Sequence, residues 1–323
     1  MSFILLSSPL QGLTDFRFRN AFNKYFDGID TYYAPSIRLN KKLEIKPANE
    51  RDILPENNTG FEVIPQIITS DADEFIFAAK YVQKLGYKEL NWNLGCPYSM
   101  VTKRGMGSGL TKDPIKINSI LNKVHAESDI IVSIKMRLGY ETSKEILQVL
   151  PILNKYPIKN IAIHARTGKQ LYKGKVDLDS FQQCMDNTDH KLYYNGDITS
   201  VAVFNDMKKR FPMIDHFMIG RGMIADPFLP GMIKNNTTEY PENRIDIFRK
   251  FHDTLFNDYT QALSGTSHII MKMFQFWEYF TRSFASSRKE LKKIKKAKSI
   301  RAYEDAVKQI LNKEKNQEPD LHS

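Results

Sequence analysis

The chain has two cysteines in 323 residues, Cys96 and Cys184, far apart in sequence. That scarcity excludes a disulfide framework and fits a reducing compartment, and a chain of this length buries enough surface to need no staples. No stretch approaches the ~18 apolar residues of a membrane span. The N-terminal MSFILLSSPLQG has no basic leader, and its apolar run is too short for a secretory signal; a cytoplasmic protein without a membrane partner is expected. Internal repeats and low-complexity linkers are missing too, which excludes solenoids and disordered arrays. His125, His190, His216, His252 and His268 show no ligand spacing with cysteine or carboxylate, so no metal is expected.

What is present begins with a periodic architecture. Short β-rich runs end in polar or Gly/Pro turns at 3–6, 30–33, 62–67, 90–94, 130–136, 160–164, 191–195 and 216–219, with helix-like segments between most of them. Eight such units predict a (β/α)8 TIM barrel. The segment 70–85 shows the pattern: Ser70 as cap, acidic residues at the positive end, an inner stripe of Phe75, Ala78, Ala79 and Val82, and Gly86 as terminator. An open doubly wound sheet also alternates strands and helices, but it gathers its reactive residues at one switch point. Here they follow at least five of the eight runs, as in a barrel mouth.

From about residue 241 the strands give way to long amphipathic segments, broken at 264–267. The chain therefore divides into a barrel over 1–240 and an all-α helical bundle over 241–323. Ile269, Met273, Phe276, Trp277, Phe280 and Phe284 recur at helical spacing and read as bundle core, while Glu278 and Arg282 are placed to pair across one turn. The formal charge of the whole chain is +10; beyond residue 240 there are 16 basic residues against 11 acidic, half of that surplus. Much of it lies in RKELKKIKKAKSIR at 288–301, where eight basic residues surround the single Glu290. Such a run is either a solvated helix face or a contact for a phosphate backbone, and its one-sidedness favours nucleic acid.

Reactive side chains sit at the ends of the predicted strands. Cys96 stands in a Gly-Cys-Pro turn at the tip of LNWNLGCP, beside a glycine-containing loop over 98–109 expected to be mobile. A thiol so placed serves as nucleophile or acid, and the absence of a Cys-His hydrolase signature favours the acid. Lys135 lies among Ile131, Ile134 and Met136, which read as buried, so it should face an anion. His164 alone is as easily a hydrogen-bonded core residue; Arg166 and Thr167 beside it tip IHART towards a site. Asn195-Gly-Asp-Ile198 and Ile219-Gly-Arg-Gly222 each lead into a helix, and glycine turns with Arg221 after the last two strands suit a phosphate.

In order along the chain, SPLQGLTDFRFR at 8–19, Gln66, NLGCP at 93–97, GSGL and KDP within 107–114, KMRLG at 135–139, IHARTGKQLY at 163–172, NGDI at 195–198 and MIGRGMIADP at 218–227 closely resemble the tRNA-dihydrouridine synthases. The resemblance covers essentially the whole barrel. It implies an FMN-bearing barrel followed by a helical tRNA-binding domain, NADPH as the usual reductant, and a monomer. Matched position by position, the backbone at Pro9 and Leu10 with Gln66, Lys135 and His164 would line the flavin ring. Asn195, Gly196, Asp197, Gly220 and Arg221 fall where the family holds the ribityl-phosphate, and Asn93, Arg166 and Tyr172 where it holds the uracil. Cys96 falls on the proton donor to C5 of the uracil, opposite the hydride delivered to C6. Lys289, Lys292, Lys293, Lys296 and Lys298 would meet tRNA phosphates. The chain departs from the family's text with Ser8-Pro9-Leu10 in place of Ala-Pro-Met, harmless for backbone contacts, and with Met100 where a lysine is frequent. Which D-loop uridine is modified stays open. Two rival readings remain: a flavin barrel that reduces a free small molecule, and an RNA-binding protein with a vestigial barrel.

Overall fold

The computed structural model describes residues 2–40, 42–284 and 288–315. Nine parallel segments form one sheet: β1 (Ile4–Ser7), β2 (Thr31–Tyr33), β3 (Glu62–Ile64), β4 (Gln66–Ile67), β5 (Glu89–Leu94), β6 (Ile131–Gly139), β7 (Ile161–Thr167), β8 (Leu192–Asn195) and β9 (His216–Ile219). Their order is β3-β2-β1-β9-β8-β7-β6-β5-β4. The two ends of that order are consecutive in the chain, separated only by Pro65. Proline has no N–H to give a ladder, so one strand is interrupted there and turns from β2 to β5; the Pro65 carbonyl accepts from Asn91 N at 2.9 Å. The sheet closes through this single broken strand, with the Ile37–Ile67 bridge sealing the seam. The eight expected runs are thus the eight staves of a (β/α)8 barrel.

Details of the expected helix over 70–85 shift by one residue. It spans Ala72–Lys84, and the cap is Asp71, whose side chain accepts from Glu74 N, not Ser70. A carboxylate one residue later also meets the helix dipole, which a serine does not. Phe75, Ala78, Ala79 and Val82 are buried as the stripe requires. Ile131, expected inside, is exposed because it starts β6 at the far rim, while Ile134 and Met136 are buried.

After β9 the chain is helical: Arg221–Ala225, Leu229–Asn235, Arg244–Ala262, Thr266–Phe280, Arg288–Lys296 and Ile300–Lys315. Gly265, with φ of +91°, makes the corner expected at 264–267. Ile269, Met273, Phe276, Trp277, Phe280 and Phe284 are all buried. The bundle does not own a separate core, since its apolar residues join those of the barrel in one cluster. Phe18 of the first barrel helix (Phe16–Tyr25) stacks on Phe276 with centroids 5.7 Å apart, and Tyr259 donates to Asp15 at 2.7 Å. Glu278 and Arg282 do not form the expected pair; the Arg282 guanidinium lies 4.9 Å above the Tyr279 ring instead. Deleting the Phe276 ring should leave a cavity on both sides of this seam, so Phe276→Ala is expected to cost ~3–5 kcal/mol in urea unfolding. A loss under ~1 kcal/mol would mean the two parts do not share a core.

Candidate active site

Strand alternation sets which side chains reach the mouth. Lys135 and Arg137 share one face of β6, with Ile134 and Met136 on the other, and His164 and Arg166 share one face of β7. These four, together with Pro9, Leu10, Gln66, Asn93, Cys96, Tyr172, Asn195, Gly196, Asp197, Gly220 and Arg221, line one cavity of about 1090 Å³ at the C-terminal ends of the strands. Every barrel residue singled out from sequence is therefore brought to the same place. The five lysines of the basic run are not; they lie on the helix Arg288–Lys296 and just beyond it, exposed, with Lys293 donating to Gln309 at 2.6 Å. Glu290 within that run is buried and takes an ion pair from Lys313 at 2.6 Å, which explains the one acidic residue among the basic ones.

The Cys96 turn is built by Asn93. Its Oδ1 accepts from Gly95 N and Cys96 N, both at 2.9 Å, and its Nδ2 donates to Ser36 Oγ at 2.8 Å and Gln66 Oε1 at 2.9 Å. Both donors and both acceptor sites of that amide are then spent on the protein. Gln66 keeps more in hand. Its Oε1 accepts from Ser36 and Asn93, and one N–H goes to Asn91 at 2.8 Å, which leaves its second N–H uncommitted among the described residues. The segment over 98–109, expected to be mobile, is folded onto the thiol. It forms the short helix Ser99–Thr102 and the 3-10 turn Gly107–Lys112, and Ser108 N and Oγ both donate to the Cys96 carbonyl at 3.0 Å. A side chain at Gly107 would meet the Cys96 carbonyl oxygen at 2.6 Å, so glycine there permits close packing. Met100, where the resembling proteins often carry lysine, is 70% exposed at the rim.

Positive charge dominates the interior of this cavity. Lys135 donates to Asn195 Oδ1 at 2.9 Å, and burial together with neighbouring Arg137 brings its ammonium down to about 7. Arg137, which the residue-by-residue reading passed over inside KMRLG, is 2% exposed and ties three strand ends: Gly95 O at 3.1 Å, Thr167 O at 2.8 Å and Leu171 O at 2.6 Å. Arg166 is 1% exposed, clasps Asp197 with both terminal nitrogens and donates to Gly174 O at 2.6 Å. Arg221 reaches the same carboxylate at 2.7 Å. Burial alone would raise the Asp197 carboxyl, but Arg166 and Arg221 overcome it and hold it below its ordinary range. His164 is pushed well below its ordinary value by burial first and then by Arg137, Lys135, Arg166 and Arg221; it is a neutral imidazole here. Burial pushes the Cys96 thiol above its ordinary 9.0, against the lowering pull of the Tyr98 N–H, Arg38, Arg137 and Lys135. A thiol so held stays protonated at neutral pH and, once it gives up the proton, has those same groups beside the thiolate.

The barrel form itself is widely shared. The solved structure of morphinone reductase in complex with tetrahydroNAD matches with a TM-score of 0.51 and 9% identity, covering 76% of this chain and 89% of that one, a likeness of fold alone. Sequence is more particular. The dihydrouridine synthase family profile matches residues 5–322, and the chain belongs to that family of oxidoreductases. Similar relatives include tRNA-dihydrouridine synthase B of Shewanella oneidensis, 28% identical over 230 residues, covering 70% of this chain and 69% of that protein. A probable tRNA-dihydrouridine synthase of Helicobacter pylori is 29% identical over 254 residues, covering 73% and 72% respectively.

The state of the thiol is directly measurable. Iodoacetamide should alkylate Cys96 slowly at neutral pH, with a midpoint above 9.0, while fully buried Cys184, raised to about 12 and donating to Ser180 O at 3.1 Å, stays unlabelled. A midpoint below the ordinary 9.0 would show a reactive thiolate instead of a stored proton.

Proposed function

We propose that this protein reduces a uridine of tRNA to 5,6-dihydrouridine, with Cys96 giving the proton to C5, FMN held in the barrel mouth and NADPH as reductant. The observation that carries the reading is the pairing, in one cavity, of a thiol kept protonated by burial with a cluster of buried cations facing, among the described residues, two carboxylates, Asp197 and Asp226. The residues fit a phosphorylated flavin. Lys135 has two ammonium protons beyond the one given to Asn195, and Arg166 Nε is buried without a partner among the described residues. An anion nearby lowers the cost of keeping these groups charged. Asn195, Asp197, Arg221 and the backbone at Gly196 and Gly220 would hold its ribityl-phosphate, and Gln66, Lys135, His164, Pro9 and Leu10 its ring. FMN, when bound, supplies the hydride for C6 of the pyrimidine.

The chain's own groups do the remaining work. The Cys96 Sγ–H bond breaks as its proton moves to C5, and the thiolate left behind is stabilised by the Tyr98 N–H and by Arg38, Arg137 and Lys135. Asn93 and Arg166 would hold the uracil, and each also shapes the mouth: one fixes the thiol's turn, the other clasps Asp197 and keeps a buried Nε without a partner among the described residues. Tyr172, flanked by Arg137 and Arg221, offers a flat ring to the uracil. A uridine inside folded RNA reaches this depth only when turned out of its stack. We assign residues 1–240 to this chemistry and 241–323 to gripping the tRNA, with Lys289, Lys292, Lys293, Lys296 and Lys298 on its phosphates.

Cys96→Ala is expected to keep its flavin and its NADPH oxidation while dihydrouridine formation, measured by mass spectrometry of digested tRNA, falls ~10²- to 10⁴-fold. Formation at the wild-type rate would remove Cys96 from the acid role. Replacing the five lysines by glutamine should weaken tRNA binding and flatten the slope of log Kd against log salt by up to about 4, with flavin content unchanged. An unaltered slope returns the run to a solvated helix face, and a coloured protein indifferent to tRNA would favour the small-molecule reductase.

A further inference from the structure

The mouth of the cavity is not made by the barrel alone. Four tyrosines line it: Tyr240, whose hydroxyl is given to Asp226, and three from separate parts of the chain, Tyr98 just after the Cys96-Pro97 turn, Tyr172 in the loop after β7, and Tyr279 in the last turn of the helix Thr266–Phe280. The Tyr172 ring lies under Arg221 at 4.2 Å and Arg137 at 5.3 Å. Tyr98 is 53% exposed and its side chain interacts with that of Tyr172. Tyr279 feels Tyr172, Arg282 and Arg221.

Tyr279 departs from the use its helix makes of aromatic residues. Phe276, Trp277 and Phe280 around it are fully buried in the bundle, whereas Tyr279 is half-buried and turned to the barrel mouth. The barrel itself holds it there. Upstream, Lys272 Nζ donates to Gly12 O at 2.6 Å and Phe276 stacks on Phe18; downstream, Ser283 Oγ donates to Ala225 O at 2.5 Å. These contacts bracket Tyr279 on both sides and fix the stretch of helix that carries it against the barrel.

We infer that Tyr279 is a base-positioning residue, closing the third side of the mouth so that it, Tyr98 and Tyr172 clamp the everted nucleobase in line with the Cys96 thiol. The inference rests on the proposed function and extends it: the helical part contributes to the chemical step and not only to tRNA affinity. The rings would border the base at its edges, since its two faces are given to the flavin and to the Cys96 thiol, and stiff aromatic walls hold an everted base in one orientation. Proton transfer to one ring carbon then depends on the base being held in a single orientation. The tRNA grip, by contrast, comes from the lysine run on a different helix, so the two contributions are separable.

The test is steady-state kinetics on tRNA with Tyr279→Ala and Tyr279→Phe in the full chain. Tyr279→Ala should lower kcat for dihydrouridine formation roughly 10- to 100-fold, while the tRNA Kd and flavin content remain those of the wild type; Tyr279→Phe, which keeps the ring, should restore kcat. Should the alanine variant melt early, Tyr279→Leu keeps apolar volume without a flat ring and is expected to show the same loss. Wild-type kcat in the alanine and leucine variants, a loss confined to tRNA Kd, or a phenylalanine variant as slow as alanine would each overturn the inference. A wild-type protein that forms no dihydrouridine would overturn the function beneath it.

Discussion

Lys135, Arg137, Arg166 and Arg221 meet at the end of a sealed barrel, and Asp197 is the one carboxylate bonded to any of them among the described residues. Concentrating cations where water is scarce opposes folding unless each finds partners. Here the partners are mainly main-chain carbonyls at strand ends, Gly95, Thr167, Leu171 and Gly174, so the charges knit the loops that shape the mouth. Burial, with the remaining imbalance of charge, gives the cavity its chemistry: together they keep His164 neutral and bring Lys135 to about 7, and the imbalance places positive charge beside the thiol.

Such a cluster is possible only because the sheet closes. Pro65 breaks one strand so that it serves β2 on one side and β5 on the other, and residues from β1, β4, β5, β6, β7, β8 and β9 then face one opening. The same closure gives the helical part a firm seat. Its apolar side chains merge with those of the barrel helices, and the seam of Phe18 on Phe276 and Tyr259 on Asp15 carries helix residues to the rim. The helical part and the barrel mouth are therefore packed as one body at this edge.

The barrel was legible because its alternation is strong: eight β-rich runs, each ended by polar or glycine punctuation, and a helical stripe of Phe75, Ala78, Ala79 and Val82 that needs no tertiary help to be read. The candidate site was legible where a reactive residue lies within or just after a strand, as with Lys135 and His164 inside β6 and β7 and Cys96 and Arg221 beyond β5 and β9. What stayed hidden depends on contacts distant in sequence. Arg137 looks like an ordinary strand residue until its three carbonyl partners, one beyond β5 and two at and beyond the end of β7, are known. Asn93 and Arg166 read as ligands for a base, and only the folded chain shows that they also build their surroundings, one the Cys96 turn and the other the clasp on Asp197. The glycines over 98–109 suggest mobility, yet Gly107 serves close packing against Cys96. Tyr279 sits inside an aromatic run whose other members are core, and only the orientation of its helix on the barrel separates it from them.

The central claim is that the cation cluster exists to hold a phosphorylated flavin within reach of Cys96. Denaturing the purified full-length protein and separating the released chromophore by anion exchange tests it most directly. The account predicts FMN in near-stoichiometric amount, or its stoichiometric uptake when the colourless protein is titrated with it. Riboflavin taken up as tightly as FMN, or a protein that takes up neither, would contradict it.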